Sequence, residues 1–217
     1  MNSNSIAVMQ PYFFPHIGYF QLINAVEFFI FYDDVNFIKK GWIHRNYIFI
    51  NNELKRFTIP LKKASSFKKI NEVEINWGAK EMDKLIKTFR INFPKHSKKR
   101  ELIETILEAK PLTISEAAIL SIELSCKHLG ISTKLQKSSE LNYKKHNDKV
   151  LNLVEICKLK NCENYINAEG GQSIYTKEEF LNHGVNLKFM KGLNGPSILE
   201  VIDMEKTKET LSQYECL

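Results

Sequence analysis

The sequence lacks any run of about 18 apolar residues, so it predicts no transmembrane helix. Its beginning has no basic segment followed by an apolar one, and we therefore expect no signal peptide. Cysteine is sparse: Cys126, Cys157, Cys162 and Cys216 are scattered, and none of them form a C-x-x-C pair. These absences favour a cytoplasmic protein with reduced thiols and without a cysteine metal site.

Arginine is also scarce, since only four of the 31 basic residues are arginine. Proteins that read nucleic acids favour arginine, because its planar guanidinium makes paired hydrogen bonds. We therefore expect no nucleic-acid partner, although the net charge is +6. Much of the positive charge lies in residues 39–70, and a basic rim of this kind would attract an anionic small molecule such as a nucleotide sugar.

The sequence does contain a regular alternation of short apolar runs with segments of helical periodicity. The apolar runs predict strands at 6–9, 28–32, 131–135, 164–167 and 185–190. Two β-rich runs around Asn51-Asn52 predict a hairpin, and the middle of the chain reads as helical. We therefore predict an α/β fold with a mixed, largely parallel sheet flanked by helices, a β-hairpin insertion and a helical middle segment.

The first candidate motif is the turn that follows the first predicted strand and contains Gln10, Tyr12, His16 and Tyr19. Strand ends in open α/β sheets are where ligands bind. The tetrapeptide beginning at His16 is similar to the HIGH motif, with which nucleotidyltransferases stabilise ATP phosphates at a helix N-terminus. The alternative is a histidine that only caps or packs the turn. We predict Gln10 as a catalytic residue and Tyr12 and His16 as substrate-binding residues.

The second motif begins with paired acids, Asp33 and Asp34, at the end of a predicted strand. Carboxylates there can bind Mg²⁺ or take a proton from an amine, and His44 can serve as a general base near neutral pH. The alternative is a hydrated surface turn. We predict Asp33, Asp34 and His44 as catalytic. The substrate-binding residues predicted in the same segment are Lys40, Trp42, Arg45 and Asn46.

Two later loops complete the candidate site. Ser138 and Ser139 follow the strand predicted at 131–135, and a hydroxyl pair there can hold a phosphate. Gly170 and Gly171 follow the next predicted strand, and adjacent glycines permit close approach of backbone to a ligand. Ordinary loops are the alternative for both. We predict these four residues as substrate-binding, together with Tyr175. Histidine spacing predicts no metal site.

Together these motifs resemble the WbqC-like protein family, named for a protein of O-antigen gene clusters. The matching segments are Met9–Pro15, Gly18–Ile23, Asp33–Val35, Lys39–Trp42, Arg45–Asn46, Ser138–Leu141, Tyr165–Asn167, Gly170–Gly171 and Tyr175. The resemblance covers nearly the whole chain. It implies one WbqC-like domain over residues 1–217, in which residues 78–130 can form a helical subdomain. The family often has tyrosine in place of His16 and asparagine in place of His44, so the resemblance implies a catalytic role for neither.

The resemblance implies a cytoplasmic enzyme of surface-polysaccharide biosynthesis, acting in O-antigen and lipopolysaccharide assembly. It implies transfer of an acyl or aminoacyl group to the amine of a nucleotide-linked amino sugar, with an acyl-carrier protein as a candidate partner. In such a reaction Asp33 or Asp34 would take the ammonium proton, and Gln10 and Asn46 would hydrogen-bond the oxyanion. No nearby serine or cysteine resembles an activated nucleophile, so we expect direct attack.

Two alternatives stay open at this point. The first is a HIGH-type nucleotidyltransferase or an ATP-dependent amide ligase, which would use ATP and Mg²⁺. The second is a non-catalytic partner of a carrier or biosynthetic protein. The sequence identifies neither the acyl donor nor a cofactor.

Overall fold

The computed structural model describes residues 2–217, with side chains from Asn4 onward. Its strands are β1 (Asn2–Met9), β2 (Val26–Phe31), β3 (Arg45–Ile50), β4 (Glu53–Thr58), β5 (Lys134–Lys137), β6 (Asn164–Ala168), β7 (Asn186–Lys191) and β8 (Glu215–Cys216). Six of them form one sheet in the order β5-β2-β1-β6-β7-β8, and β3 pairs with β4 in a separate hairpin. Within the larger sheet only β8 runs antiparallel to its neighbour. The predicted α/β fold with a hairpin insertion is therefore confirmed.

The helices lie between the strands and are concentrated in the middle of the chain. They are α1 (Ile17–Ala25), α2 (Lys80–Asn92), α3 (Lys98–Ala109), α4 (Ile114–Leu129), α5 (Lys149–Leu159), α6 (Lys177–Leu181) and α7 (Thr207–Thr210). The predicted helical middle segment corresponds to α2, α3 and α4. Among the described residues no helix is both long and apolar enough to cross a membrane.

Both faces of the central strands are covered, which explains why these strands are almost continuously apolar. Neighbouring side chains along a strand point to opposite faces. In β1, Ala7 joins the larger core, which includes α1 and α4, while Ile6 and Val8 join the smaller core with α5 and α6. In β2, Phe29 and Ile30 are divided between the two cores in the same way.

The start of the strand predicted at 131–135 differs from the prediction, whereas the hairpin turn lies where it was predicted. The fifth strand was predicted at 131–135 but begins at Lys134. The preceding residues instead close helix α4: Gly130 is left-handed with φ 75°, and the Ile131 N–H donates to the Cys126 carbonyl. In the hairpin, Asn51 and Asn52 both have positive φ, 51° and 62°, as a two-residue turn between twisted strands requires.

The start of α1 approaches the loop after β7 so closely that only glycine fits there. A Cβ atom on Gly18 would lie 2.6 Å from the Leu193 carbonyl oxygen and 2.8 Å from His16 Cε1. A Cβ atom on Gly192 would lie 3.1 Å from Gly18 Cα. This contact joins the opening turn to the last parallel strand.

We expect Gly18→Ala to lower the free energy of unfolding by roughly 1–3 kcal/mol, because the added methyl overlaps a backbone oxygen that cannot move freely. Urea denaturation measures the loss. Gly78→Ala is the control, since a Cβ at Gly78 meets nothing within 4 Å. Equal stability of the two variants would contradict the close contact.

Candidate functional site

The candidate site lies at the carboxyl edge of the parallel strands. Numbered by their order along the chain, the five parallel strands lie in the order 3-2-1-4-5, so the chain changes direction between β1 and β6. Ligands bind in open α/β sheets at such a switch point. Gln10 directly follows β1, Tyr32 and Asp33 follow β2, and Ser138 follows β5. These three strand ends therefore place several predicted site residues on one edge.

The two acids are buried and held by the serine pair. Asp33 is 2% exposed and Asp34 is 7% exposed. One Asp33 oxygen accepts from the Ser139 N–H at 3.0 Å, and the other accepts from the Ser139 hydroxyl at 2.8 Å. The Ser138 hydroxyl, which is fully buried, contacts both Asp33 and Asp34. The structure thus brings together two predicted motifs that are about a hundred residues apart in sequence.

Two further residues complete this acid cluster, and sequence reasoning missed both. The Tyr143 hydroxyl donates to Asp34 Oδ2 at 3.2 Å, and Lys145 Nζ forms an ion pair with the same oxygen. The Lys145 side chain is 53% exposed, whereas that of Asp34 is only 3% exposed. The lysine therefore approaches a buried carboxylate from the solvent side. We name Asp33, Asp34, Ser138, Tyr143 and Lys145 the acid cluster.

The electrostatics of the cluster keep Asp34 ionised. Burial alone would raise the pKa of Asp34, but hydrogen bonds from Lys145, Ser138 and Tyr143 outweigh it, and the net pKa is lowered. Burial, with a further contribution from the Asp34 charge, raises the pKa of Tyr32 to about 12. The pKa of Tyr143 is raised by the same two causes. At neutral pH the site therefore offers the Asp34 carboxylate beside neutral phenol groups.

Gln10 lies beside the acid cluster on the neighbouring strand. The Tyr32 N–H donates to the Met9 carbonyl at 2.8 Å, which sets Gln10 next to the Tyr32–Asp33 segment. The Gln10 carbonyl accepts from the Tyr19 hydroxyl at 3.1 Å. Its side-chain amide makes no hydrogen bond within residues 4–217, so it is available to a ligand.

Tyr12 and His16 are engaged with the start of α1. The Tyr12 hydroxyl accepts from the His16 N–H at 3.2 Å, and its ring packs edge-on against Tyr19 at 5.3 Å. His16 is the N-cap of α1: its Nδ1 accepts from the Gly18 N–H at 3.1 Å. Burial lowers the pKa of His16, partly opposed by the nearby Leu193 carbonyl. In the structure His16 therefore caps the helix, which was the alternative to phosphate binding, and its Nδ1 is used in the capping hydrogen bond.

In the segment of residues 39–46 some side chains are exposed to solvent and others form hydrogen bonds with the backbone. Lys40 and Trp42 are exposed to solvent. The Arg45 guanidinium donates to the Lys39 carbonyl. The Asn46 amide donates to the carbonyls of Phe13, at 3.3 Å, and Phe14, at 2.6 Å, so its donors hold the opening turn. No hydrogen bond within residues 4–217 joins the side chains of this segment to the acid cluster.

His44 is buried in the same segment, with only 8% of its surface exposed. Its ring centre lies 5.4 Å from that of Phe37, and its Nδ1 has no hydrogen-bond partner within the described residues. Burial, together with the Arg45 charge, lowers the pKa of His44 to about 4. The imidazole is therefore neutral at physiological pH, and protonating it costs folding free energy.

We expect this histidine to destabilise the fold in acid. The pKa of His44 is about 4 in the folded protein and 6.5 as its ordinary value. Above pH 6.5 the imidazole is neutral in both the folded and the unfolded chain, so the fold keeps its full stability. As the pH falls toward 4, the unfolded chain takes up a proton that the folded chain does not, and the free energy of unfolding decreases. The loss reaches roughly 2–3 kcal/mol. Urea unfolding at about pH 7 and about pH 4.5 measures it, and His44→Asn should show a correspondingly smaller decrease. Equal decreases in both proteins would contradict the buried neutral imidazole.

The glycine pair lies in a single turn after β6. A Cβ on Gly171 would lie 2.5 Å from the amide nitrogen of Asn167, so this glycine permits the turn to pack on the strand end. Gly170 is exposed, and a Cβ there meets nothing within 4 Å. Tyr175 is half-buried and packs edge-on against Phe180 at 5.8 Å. Within the part of the chain that the structure describes, no cluster of three or more metal-ligating side chains is found.

The fold and the acid cluster define an α/β protein with a cluster of buried polar side chains at its strand ends. The WbqC-like protein family matches residues 10–196, and the chain belongs to this family. It is 27% identical over 180 residues to Rv1507c of Mycobacterium tuberculosis, an uncharacterized protein, with 81% of this chain and 77% of that protein covered. No solved structure matches the chain.

Proposed function

We propose that this chain is an enzyme of surface-polysaccharide biosynthesis that transfers an acyl or aminoacyl group to the amine of a nucleotide-linked amino sugar. The observation that carries the proposal is the Asp34 carboxylate, which is buried, ionised and paired with the ammonium group of a half-exposed lysine. A site that holds one ammonium group at a buried carboxylate has the chemistry to hold the ammonium group of a substrate.

In the proposed reaction the substrate ammonium takes the place of Lys145 Nζ beside Asp34. The substrate ammonium then supplies the charge and the hydrogen bond that Lys145 supplies in the free protein, so Asp34 stays ionised and able to accept a proton. The carboxylate takes one proton from the ammonium, and the free amine then attacks the acyl carbonyl carbon. As the bond from that carbon to the leaving group breaks, the leaving group departs with the bonding electrons and takes the second proton of the nitrogen.

Gln10 is suited to the oxyanion that forms on the acyl carbonyl. Its side-chain amide makes no hydrogen bond within residues 4–217. Gln10 follows β1, and β1 lies next to β2, whose end leads into Asp33 and Asp34. A donor aimed at the developing charge stabilises the transition state more than the ground state. Asn46, the other candidate donor, is engaged with backbone carbonyls, so we assign this role to Gln10 alone. The glycine turn after β6, on the other side of β1, is available to the sugar or phosphate.

A thermal-shift comparison of nucleotide-linked amino sugars with the matched hydroxy sugars tests the proposal. We expect stabilisation by the amino sugar and little by the hydroxy sugar, because only the former carries an ammonium for Asp34. Mass spectrometry then detects the amide after addition of acyl-CoA, acyl-carrier or aminoacyl donors. Stabilisation by neither sugar, with no amide from any donor, would contradict the proposal.

The second candidate is a nucleotidyltransferase or ATP-dependent ligase, and one observation favours it. Helix α1 begins just after β1 at the switch point of the sheet, with His16 at its N-terminus. Helix N-termini in this position bind phosphate. ATP with Mg²⁺ would then stabilise the protein in the absence of any sugar, and pyrophosphate or ADP would be released on turnover. Stabilisation by amino sugar alone would argue against it.

A further inference from the structure

The outer face of the hairpin is an apolar surface that the fold leaves uncovered. In the β3–β4 register Tyr47 pairs with Arg56 and Phe49 pairs with Leu54, so these four side chains share one face. The opposite face packs into the core, where Ile48 is fully buried. Phe49 and Leu54 are 46% and 48% exposed. We name Tyr47, Phe49, Leu54 and Arg56 the hairpin face.

Two neighbouring loops extend this surface with further exposed apolar side chains. The Trp42 ring lies 5.6 Å from that of Tyr47 and is 52% exposed. Ile38 precedes it in the same loop and is 51% exposed. The Phe37 N–H donates to the Lys68 carbonyl, which places the loop bearing Phe67 beside this one. Phe67 is 94% exposed. Large apolar side chains thus project from the hairpin and from two adjoining loops.

The net positive charge of the molecule is concentrated in the same region. Residues 39–70 contain nine basic residues and one acidic residue, a net charge of +8, so the rest of the chain, whose total is +6, carries −2. Only two of these cations, Lys55 and Lys62, form ion pairs within the described residues. Cations that form no ion pair in the fold remain available to an external anion; Lys39, Lys40, Arg56 and Lys63 are exposed, and Lys68 and Lys69 are partly exposed.

We propose that the hairpin face and its two loops dock on an anionic phospholipid membrane surface. Lysines interleaved with tryptophan, tyrosine and phenylalanine suit the lipid–water interface, where the cations meet headgroup phosphates and the apolar tips enter the acyl boundary. The aliphatic side chains of Ile38 and Leu54 distinguish this partner from single-stranded nucleic acid, since they insert into hydrocarbon but offer no ring on which a base can stack. This proposal is independent of the reaction proposed above.

Co-sedimentation of the full chain with vesicles tests this proposal. We expect binding to vesicles of phosphatidylglycerol and phosphatidylcholine, and little binding to phosphatidylcholine alone. The triple variant Phe49→Ser/Leu54→Ser/Phe67→Ser should bind at least about tenfold more weakly, because three apolar side chains no longer enter the bilayer. Lys39→Gln/Lys68→Gln/Lys69→Gln should lose about fivefold per lysine, and added salt should reproduce this loss.

Matched control variants distinguish binding through this surface from non-specific hydrophobic adsorption. Ile91 and Leu181 are exposed by 81% and 62% and lie outside this surface, so Ile91→Ser/Leu181→Ser should bind vesicles like the wild type. Circular dichroism checks that every variant is folded. Absence of binding to the anionic vesicles, or equal loss in the test and control variants, would overturn the proposal. Tighter binding to a single-stranded oligonucleotide than to the vesicles would also overturn it.

Discussion

Replacing Asp34 with asparagine is expected to abolish amide formation, with turnover reduced on the order of 100-fold or more. The asparagine keeps the shape of the side chain and can still accept from Ser138 and Tyr143, but it cannot take a proton from the attacking amine. It also loses the charge that pairs with Lys145. Turnover is measured by mass spectrometry of the amide product at saturating amino sugar.

The fold should tolerate this change, because Lys145 is half exposed and water can solvate its ammonium once the partner is gone. Asp33→Asn is the companion variant, since either acid is a candidate base and Asp33 is bound by Ser139 rather than by the lysine. Lys145→Met is the matched control: it removes the competing ammonium and should leave Asp34 able to bind the amino sugar. Wild-type turnover in both acid variants would show that neither carboxylate is the base.

The fold was largely predictable because the spacing of apolar residues that distinguishes strands from helices is visible within short segments of the sequence. Strands buried on both faces are short apolar runs, and these runs marked β1, β2, β6 and β7 correctly. The boundary of β5 was less accessible, since Ile131 is apolar yet closes a helix instead of starting the strand. Whether an apolar residue ends a helix or begins a strand depends on tertiary contacts, which no local pattern contains.

The site was predictable only where chemistry coincides with strand ends. Asp33, Asp34 and Ser138 follow strands whose carboxyl ends meet at one edge of the sheet because the strands pair in parallel. Their position after predicted strands was therefore enough to predict that they lie close together. Tyr143 and Lys145 lie in an irregular loop with no periodicity, and nothing in the sequence links them to an acid more than a hundred residues away. Their contact with Asp34 is a product of the folded chain alone.

The family resemblance also marks residues that hold the fold, and Gln21 shows this most clearly. It lies in the matching segment Gly18–Ile23 and is completely buried. Its Nε2 donates to the Thr210 and Gln213 carbonyls, both at 2.7 Å, and its Oε1 accepts from the Leu193 N–H at 2.7 Å. One side chain on α1 thus binds two separate segments of the C-terminal part of the chain.

Gln21→Met is expected to lower the free energy of unfolding by roughly 3 kcal/mol, because it preserves volume but leaves three partly buried backbone groups without their hydrogen-bond partner. The melting temperature should fall by roughly 10 °C in a protein of this size. The matched control is Gln136→Met, since the Gln136 Oε1 is buried without a partner and its removal deprives no other group of a hydrogen bond. That variant should lie within about 0.5 kcal/mol of the wild type. Differential scanning calorimetry compares the two, and an equal effect of both substitutions would show that the Gln21 hydrogen bonds do not join α1 to the C-terminal segments.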